Sequence, residues 1–122
     1  MIVYHASKSV ILQPQGRLDA QGGSLLRTQL EAIAPDQHHT WIVDLSNVDF
    51  VDSSGLVSLV HGTKRAQQHG CRLVICSLCA SVRLLFEITR LDQVFEIFED
   101  HAAAIEHPAP DSQLSPLEMA LA

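Results

Sequence analysis

The run Asn47-Val48-Asp49-Phe50-Val51-Asp52-Ser53-Ser54-Gly55-Leu56 gathers the residues of this chain best placed to do chemistry. Carboxylates, hydroxyls and a glycine lie between an apolar stretch, Trp41 to Leu45, and a helical pattern that begins near Ser54. The first turn of a helix carries unpaired backbone N–H groups and the positive end of the macrodipole. A serine hydroxyl there is a good acceptor for a reversible phosphate, because the phosphate finds donors where it lands. A phosphate also adds roughly −1.5 to −2 charges at neutral pH, here beside the Asp49 and Asp52 carboxylates. The bland reading of the same residues is an ordinary helix cap in a tight connection.

Other reactive patterns are weaker. Cys76-Ser77-Leu78-Cys79 is a C-x-x-C at a strand-to-helix junction, where a redox pair could sit. The aromatic and proline residues usual around such a pair are missing, so apolar cysteines are the expectation. His69, Cys71, Cys76 and Cys79 match no standard zinc spacing. A serine hydrolase would need a histidine base and a Gly-x-Ser-x-Gly elbow, and the run has neither. His61 and the His38-His39 pair read as surface histidines. Lys64, Arg65 and Arg72 read as a solvated basic cluster.

The elements that must position the run follow from periodicity. Ile2 to Tyr4 and Ser9 to Gln13 read as two short strands or one bent strand, ended by Pro14 and Gly16. Asp19 precedes a helix whose inner face is Leu25, Leu26, Gln29, Leu30 and Ile33, with Gly22 and Gly23 blurring its start. Trp41 to Leu45 is apolar throughout, as for a strand covered on both faces. Leu56, Leu59, Val60 and Thr63 recur at helical spacing, with Lys64, Arg65, Gln67 and Gln68 outward and Gly70 as the left-handed terminator. Arg72 to Cys76 is a second buried strand, Ser81 to Thr89 a short helix, and Val94 to Phe98 a last strand. Asp100 caps a helix over 102–106. No motif repeats in the interior. The predicted order, β-β-α-β-α-β-α-β-α, specifies an α/β fold: a single mixed, mostly parallel sheet covered by helices. Residues 1–106 form this domain, and 107–122, with Pro108, Pro110 and Pro116, form a flexible tail.

Composition narrows the class. The chain has 122 residues, 47% of them hydrophobic, enough for one domain with a core. No apolar run is long enough to span a membrane, no secretory signal is evident, and the cytoplasm is the default location. Three cysteines argue against a disulfide framework. A net charge of −6 disfavours direct nucleic-acid binding and is compatible with a basic protein partner.

Taken together, Gly16-Arg17-Leu18-Asp19, Val43-Asp44-Leu45-Ser46, Phe50 to Leu56, Gly70, Leu73 to Cys76 and Val82-Arg83-Leu84-Leu85-Phe86 resemble a STAS domain of the bacterial anti-sigma factor antagonist type. The resemblance runs over residues 1–106. It implies a non-enzymatic partner switch without a cofactor, present as a monomer or weak dimer. Unphosphorylated, such a protein binds an anti-sigma factor that is also a serine kinase, and its target is released. Phosphorylation of the serine after the motif aspartate, here Ser53 with Ser54 as the second candidate, ends the interaction. A PP2C-type phosphatase restores it. The implied partner surface is Asp19, Asp49, Asp52, Ser53, Ser54, Gly55, Leu56 and Leu59. The alternative is a STAS scaffold or ligand-binding module in a signalling or transport complex, with Ser53 only a cap. The chain departs from the family at Cys79, where proline is frequent, and at Thr89-Arg90-Leu91, where Ser-Gly-Leu is frequent.

Overall fold

Side chains along a strand alternate between faces, and the two buried strands show this alternation in full. In the computed structural model, which describes residues 1–6 and 8–106, strand β4 (Thr40–Asp44) sends Trp41 and Val43 into one core and Ile42 into another. Strand β6 (Arg72–Cys76) does the same with Leu73 and Ile75 against Val74 and Cys76. The larger core is closed by helices α1 (Ala20–Glu31), α2 (Ser53–Gln68) and α3 (Ala80–Ile88). The smaller is closed by Ala104 of α4 (His101–Glu106).

The sheet order is β1-β2-β4-β6-β7, with β1 (Ile2–Ala6), β2 (Ser9–Gln13) and β7 (Ile97–Phe98). Among the described residues only the β1–β2 pairing is antiparallel, so the expected mixed, mostly parallel sheet is present. Beside it lies a second, two-stranded parallel pair that periodicity did not reveal: β3 (Gly16–Leu18) and β5 (Val48–Val51). These strands are too short to show an alternation.

Other boundaries differ for physical reasons. The last strand is confined to Ile97–Phe98. A 3₁₀ turn over Leu91–Gln93 leaves Val94 helical, and Phe95 turns into the core against Phe86, ring centroids 6.0 Å apart. Arg90 takes the left-handed conformation (φ 62°) between α3 and this turn, a place where glycine costs less. Helix α1 starts at Ala20 with both glycines inside it. Its buried stripe is Gly23, Leu26 and Leu30, followed by Ile33, whereas Leu25 is 58% exposed. The stripe rotates because α2 packs against Gly23, where a Cβ would crowd the Ser58 hydroxyl and the Ser54 carbonyl. Gly70 is left-handed (φ 71°) at the end of α2, and Asp100 accepts from Ala103 N at 2.8 Å, both as expected. The tail lies outside the described residues.

The expected basic cluster does not exist. Arg65 reaches back to α1 and donates to the carbonyls of Leu30, Glu31 and Ile33 at 3.1–3.3 Å, over the Trp41 ring. It therefore supplies donors to the orphan carbonyls at the end of α1. Arg72 pairs with Glu96 at 2.8 Å beside Phe98. Replacing Arg65 with Ala should cost about 1–2 kcal/mol in urea unfolding, since charge-assisted bonds to carbonyls are lost. Arg65→Lys should recover little of it, because one ammonium cannot reproduce the guanidinium fork.

Candidate partner-binding site

Two strands running side by side into two helices create the site. In the β3–β5 ribbon, Arg17 stands opposite Phe50 and Leu18 opposite Val51. The ladder continues one step, with Asp52 N donating to Leu18 O at 3.2 Å. Asp19 and Asp52 are then the N-caps of α1 and α2, both extended. Asp19 Oδ1 accepts from Gly22 N at 3.0 Å, and Asp52 Oδ1 from Gly55 N at 3.1 Å. A Cβ on Gly22 would drive into the carbonyl oxygen of Arg17, and one on Gly55 into that of Leu18. An Asp-x-x-Gly start is thus used twice, at 19–22 and 52–55, correcting the expectation that nothing repeats. The signal was present as the paired spacing, too short to stand out without the ribbon that aligns the two copies.

Ser53 is the first residue of α2 and is exposed, and Ser54 follows, also exposed. The cap is Asp52, so neither serine is needed for capping. Ser54 acts as a first-turn residue whose carbonyl accepts from Ser58 Oγ at 3.1 Å. Asp49 is exposed on β5. Of the expected surface residues, Leu59 is 0% exposed and Gly55 is buried against Leu18, so neither offers its side to a partner. Leu56 is half-buried against the core. Val57, not singled out in the sequence, is 61% exposed and one helical turn beyond Ser53. With Leu56, Leu59 and Val60 turned inward, the same periodicity places Val57 outward. Phe50 is 39% exposed on the ribbon. Gly22 and Gly23 face Arg17 and α2, respectively.

The charges around the site are mainly acidic. The N–H of Gly22 holds the Asp19 carboxyl below the usual range, and the nearby Arg17 guanidinium adds to this. Arg17 Nε lies 3.7 Å from Asp19 Oδ2, with its guanidinium 4.1 Å from the centre of the Phe50 ring. Among the described residues no side chain bonds the Ser53 hydroxyl. His61 of α2 is engaged with Glu31 at 3.1 Å.

The cysteines do not form a site together. Cys76 faces the smaller core, while Cys79 packs against the larger one on the other side of the sheet. The C-x-x-C reading fails on that separation. Cys71 and Cys76 lie at opposite ends of β6, and among the described residues no three metal-ligating side chains share a site. Burial pushes the Cys76 thiol up to about 11, and also raises Cys71. Cys79 is lowered, first by the Ser81 hydroxyl and then by the Val82 N–H, with its Sγ 3.3 Å from Val48 O.

Two outcomes follow from this geometry. Labelling of the folded protein with an aromatic disulfide at neutral pH should modify Cys79 alone, with Cys71 and Cys76 reacting only on unfolding. Gly55→Ala should destabilise by about 2–4 kcal/mol in denaturant melts, because the new methyl meets backbone rather than a flexible side chain.

Comparison with known proteins agrees with this architecture. A family profile for the STAS domain matches residues 1–104. An anti-sigma F factor antagonist of Paenibacillus polymyxa is 28% identical over 102 residues, 83% of this chain and 87% of that protein. An anti-sigma-B factor antagonist of Listeria monocytogenes is 32% identical over 82 residues, covering 67% and 72%. Among solved structures, an anti-sigma factor antagonist from Mycobacterium paratuberculosis superposes with a TM-score of 0.74 at 20% identity, over 85% of this chain and 88% of that one. The antagonist SpoIIAA in its unphosphorylated form gives 0.66 at 18% identity, over 86% and 94%. With a match across nearly the whole described domain, the chain belongs to the STAS domain family.

Proposed function

We propose that this protein is an anti-sigma factor antagonist that works as a phosphorylation-controlled partner switch. Unphosphorylated, it binds an anti-sigma factor with serine kinase activity, which then releases its target. The kinase transfers the γ-phosphoryl group of ATP to Ser53 Oγ, yielding ADP and a proton, and the complex separates. A PP2C-type phosphatase hydrolyses the ester and returns inorganic phosphate. The observation that carries the reading is the position of Ser53: exposed, at the start of α2, and not required for the cap. The antagonist names of the Paenibacillus and Listeria relatives support it.

Magnitudes explain why such a phosphate would break a complex and not the fold. At a surface, two added charges about 6 Å from a carboxylate cost about 1 kcal/mol in water. The helix N-terminus returns roughly 0.3–1 kcal/mol per charge. The isolated domain therefore stays near balance. In a closed interface, with an effective dielectric nearer 20, the same repulsion grows about fourfold. A partner shaped to the Asp19, Asp49 and Asp52 patch and to exposed Phe50 and Val57 cannot absorb it. The partner surface is accordingly Asp19, Asp49, Asp52, Ser53, Ser54, the exposed edge of Leu56, and Val57.

The test is intact mass after incubation with ATP and each candidate serine kinase, beside Ser53→Ala. The expected result is one added phosphate that the variant does not acquire. Ser53→Asp should lower affinity for that kinase by at least about tenfold, while Ser53→Ala binds as the parent does. Binding that persists without any phosphate transfer would instead favour a STAS scaffold.

A further inference from the structure

Arg17 is oriented in a way that bears on the phosphorylated state. It is the basic residue of the ribbon: β5 and the first turns of α1 and α2 hold no Lys or Arg. Its outward side chain lies over the Phe50 ring, with Nε 3.7 Å from Asp19 Oδ2. That separation is longer than a good charge-assisted hydrogen bond, and the side chain is 63% exposed, so the contact is cheap to exchange. Ser53 is three residues beyond Phe50, the partner of Arg17 across the ribbon. Three strand steps span about 10 Å, and neighbouring strands lie about 4.8 Å apart. The guanidinium has already travelled part of this way, toward the helix starts where Asp19 sits. A long arginine and a phosphoserine reaching toward each other close the remainder.

We propose that Arg17 is the counter-ion of phosphorylated Ser53, exchanging its Asp19 and Phe50 contacts for the phosphate. A guanidinium fork matches phosphate oxygens better than it matches a carboxylate held at 3.7 Å. The exchange has two effects on the surface. It uncovers one face of Phe50, and it frees the Asp19 carboxylate of its cation. The partner surface is thus rewritten over β3, β5 and both helix starts by one modification, without a change of fold. Arg17 acts as a positioning residue for the phosphate and takes no part in its transfer.

This inference rests on Ser53 being the phosphorylated residue, yet its test needs no kinase. Phosphoserine is installed at position 53 by genetic encoding, in the parent chain, in Arg17→Gln and in Arg17→Lys. The second ionisation of the phosphate is followed by ³¹P NMR. The charged groups facing it are the carboxylates of Asp19 and Asp52, the caps of the two helix starts, which raise its pKa, and Arg17, which lowers it; Asp49 points to the other face of β5, toward Cys79. The parent should titrate about half a unit below Arg17→Gln, about a threefold change in proton affinity, with Arg17→Lys between. Equal values in all three proteins would overturn the proposal. If Arg17→Gln were to lose its fold, the lysine variant alone decides, by a raised pKa or an unchanged one. A normal clamp with no phosphorylation by any kinase would leave Arg17 as described and count against the partner switch alone.

Discussion

The close approach between the first turn of α2 and the backbone of β3 governs the arrangement of this domain's outer edge. The Leu18 carbonyl accepts from Asp52 N and has Gly55 pressed against it. A side chain at residue 55 would force the two apart. Because Asp52 then captures Gly55 N, the start of α2 is held from both sides, and Ser53 is presented between them. The Asp19–Gly22 turn repeats the device on α1, and the β3–β5 pairing sets the two helix starts in register. Surface chemistry follows from that backbone contact. Two capping carboxylates, an exposed hydroxyl and one arginine are brought to the same edge by strands only three and four residues long.

A fixed platform is what the proposed switch requires of such a surface. Leu59, expected to meet a partner, instead anchors the helix that carries Ser53 to the core, with the inner side of Leu56 packed beside it. A charge added at the helix start then changes what the surface attracts while the platform stays in place. The exposed apolar residues, Phe50 on the ribbon and Val57 on α2, lie around the acidic patch, where a partner would gain contact area.

What could be read from the residues alone divides along physical lines. Strands buried on both faces, β4 and β6, are unbroken apolar runs and need no partner to be recognised. Gly70 and Asp100 announce helix ends by local backbone chemistry. The ribbon was hidden because its strands are too short to alternate, and the Asp49 to Gly55 stretch resembled a loop. Helix faces were legible to within a rotation. Leu25 went astray because glycine and serine at the α1–α2 contact, not the largest apolar residues, decide which side of α1 turns inward. Arg65 and Arg72 looked solvated because arginine reports its charge in sequence and its carbonyl or carboxylate partners only in space. The place of Ser53 at the start of α2 was legible, since a helix start depends on immediate neighbours.

The central claim is that a phosphate at Ser53 alters a fixed surface. The most direct measurement compares backbone amide NMR spectra of the chain with serine and with encoded phosphoserine at position 53, together with hydrogen-exchange protection in each. Shifts should be confined to β3, β5 and the first turns of α1 and α2, with unchanged protection in β4 and β6. Shifts spreading through the sheet, or lost protection in those central strands, would contradict it and make the switch a change of fold.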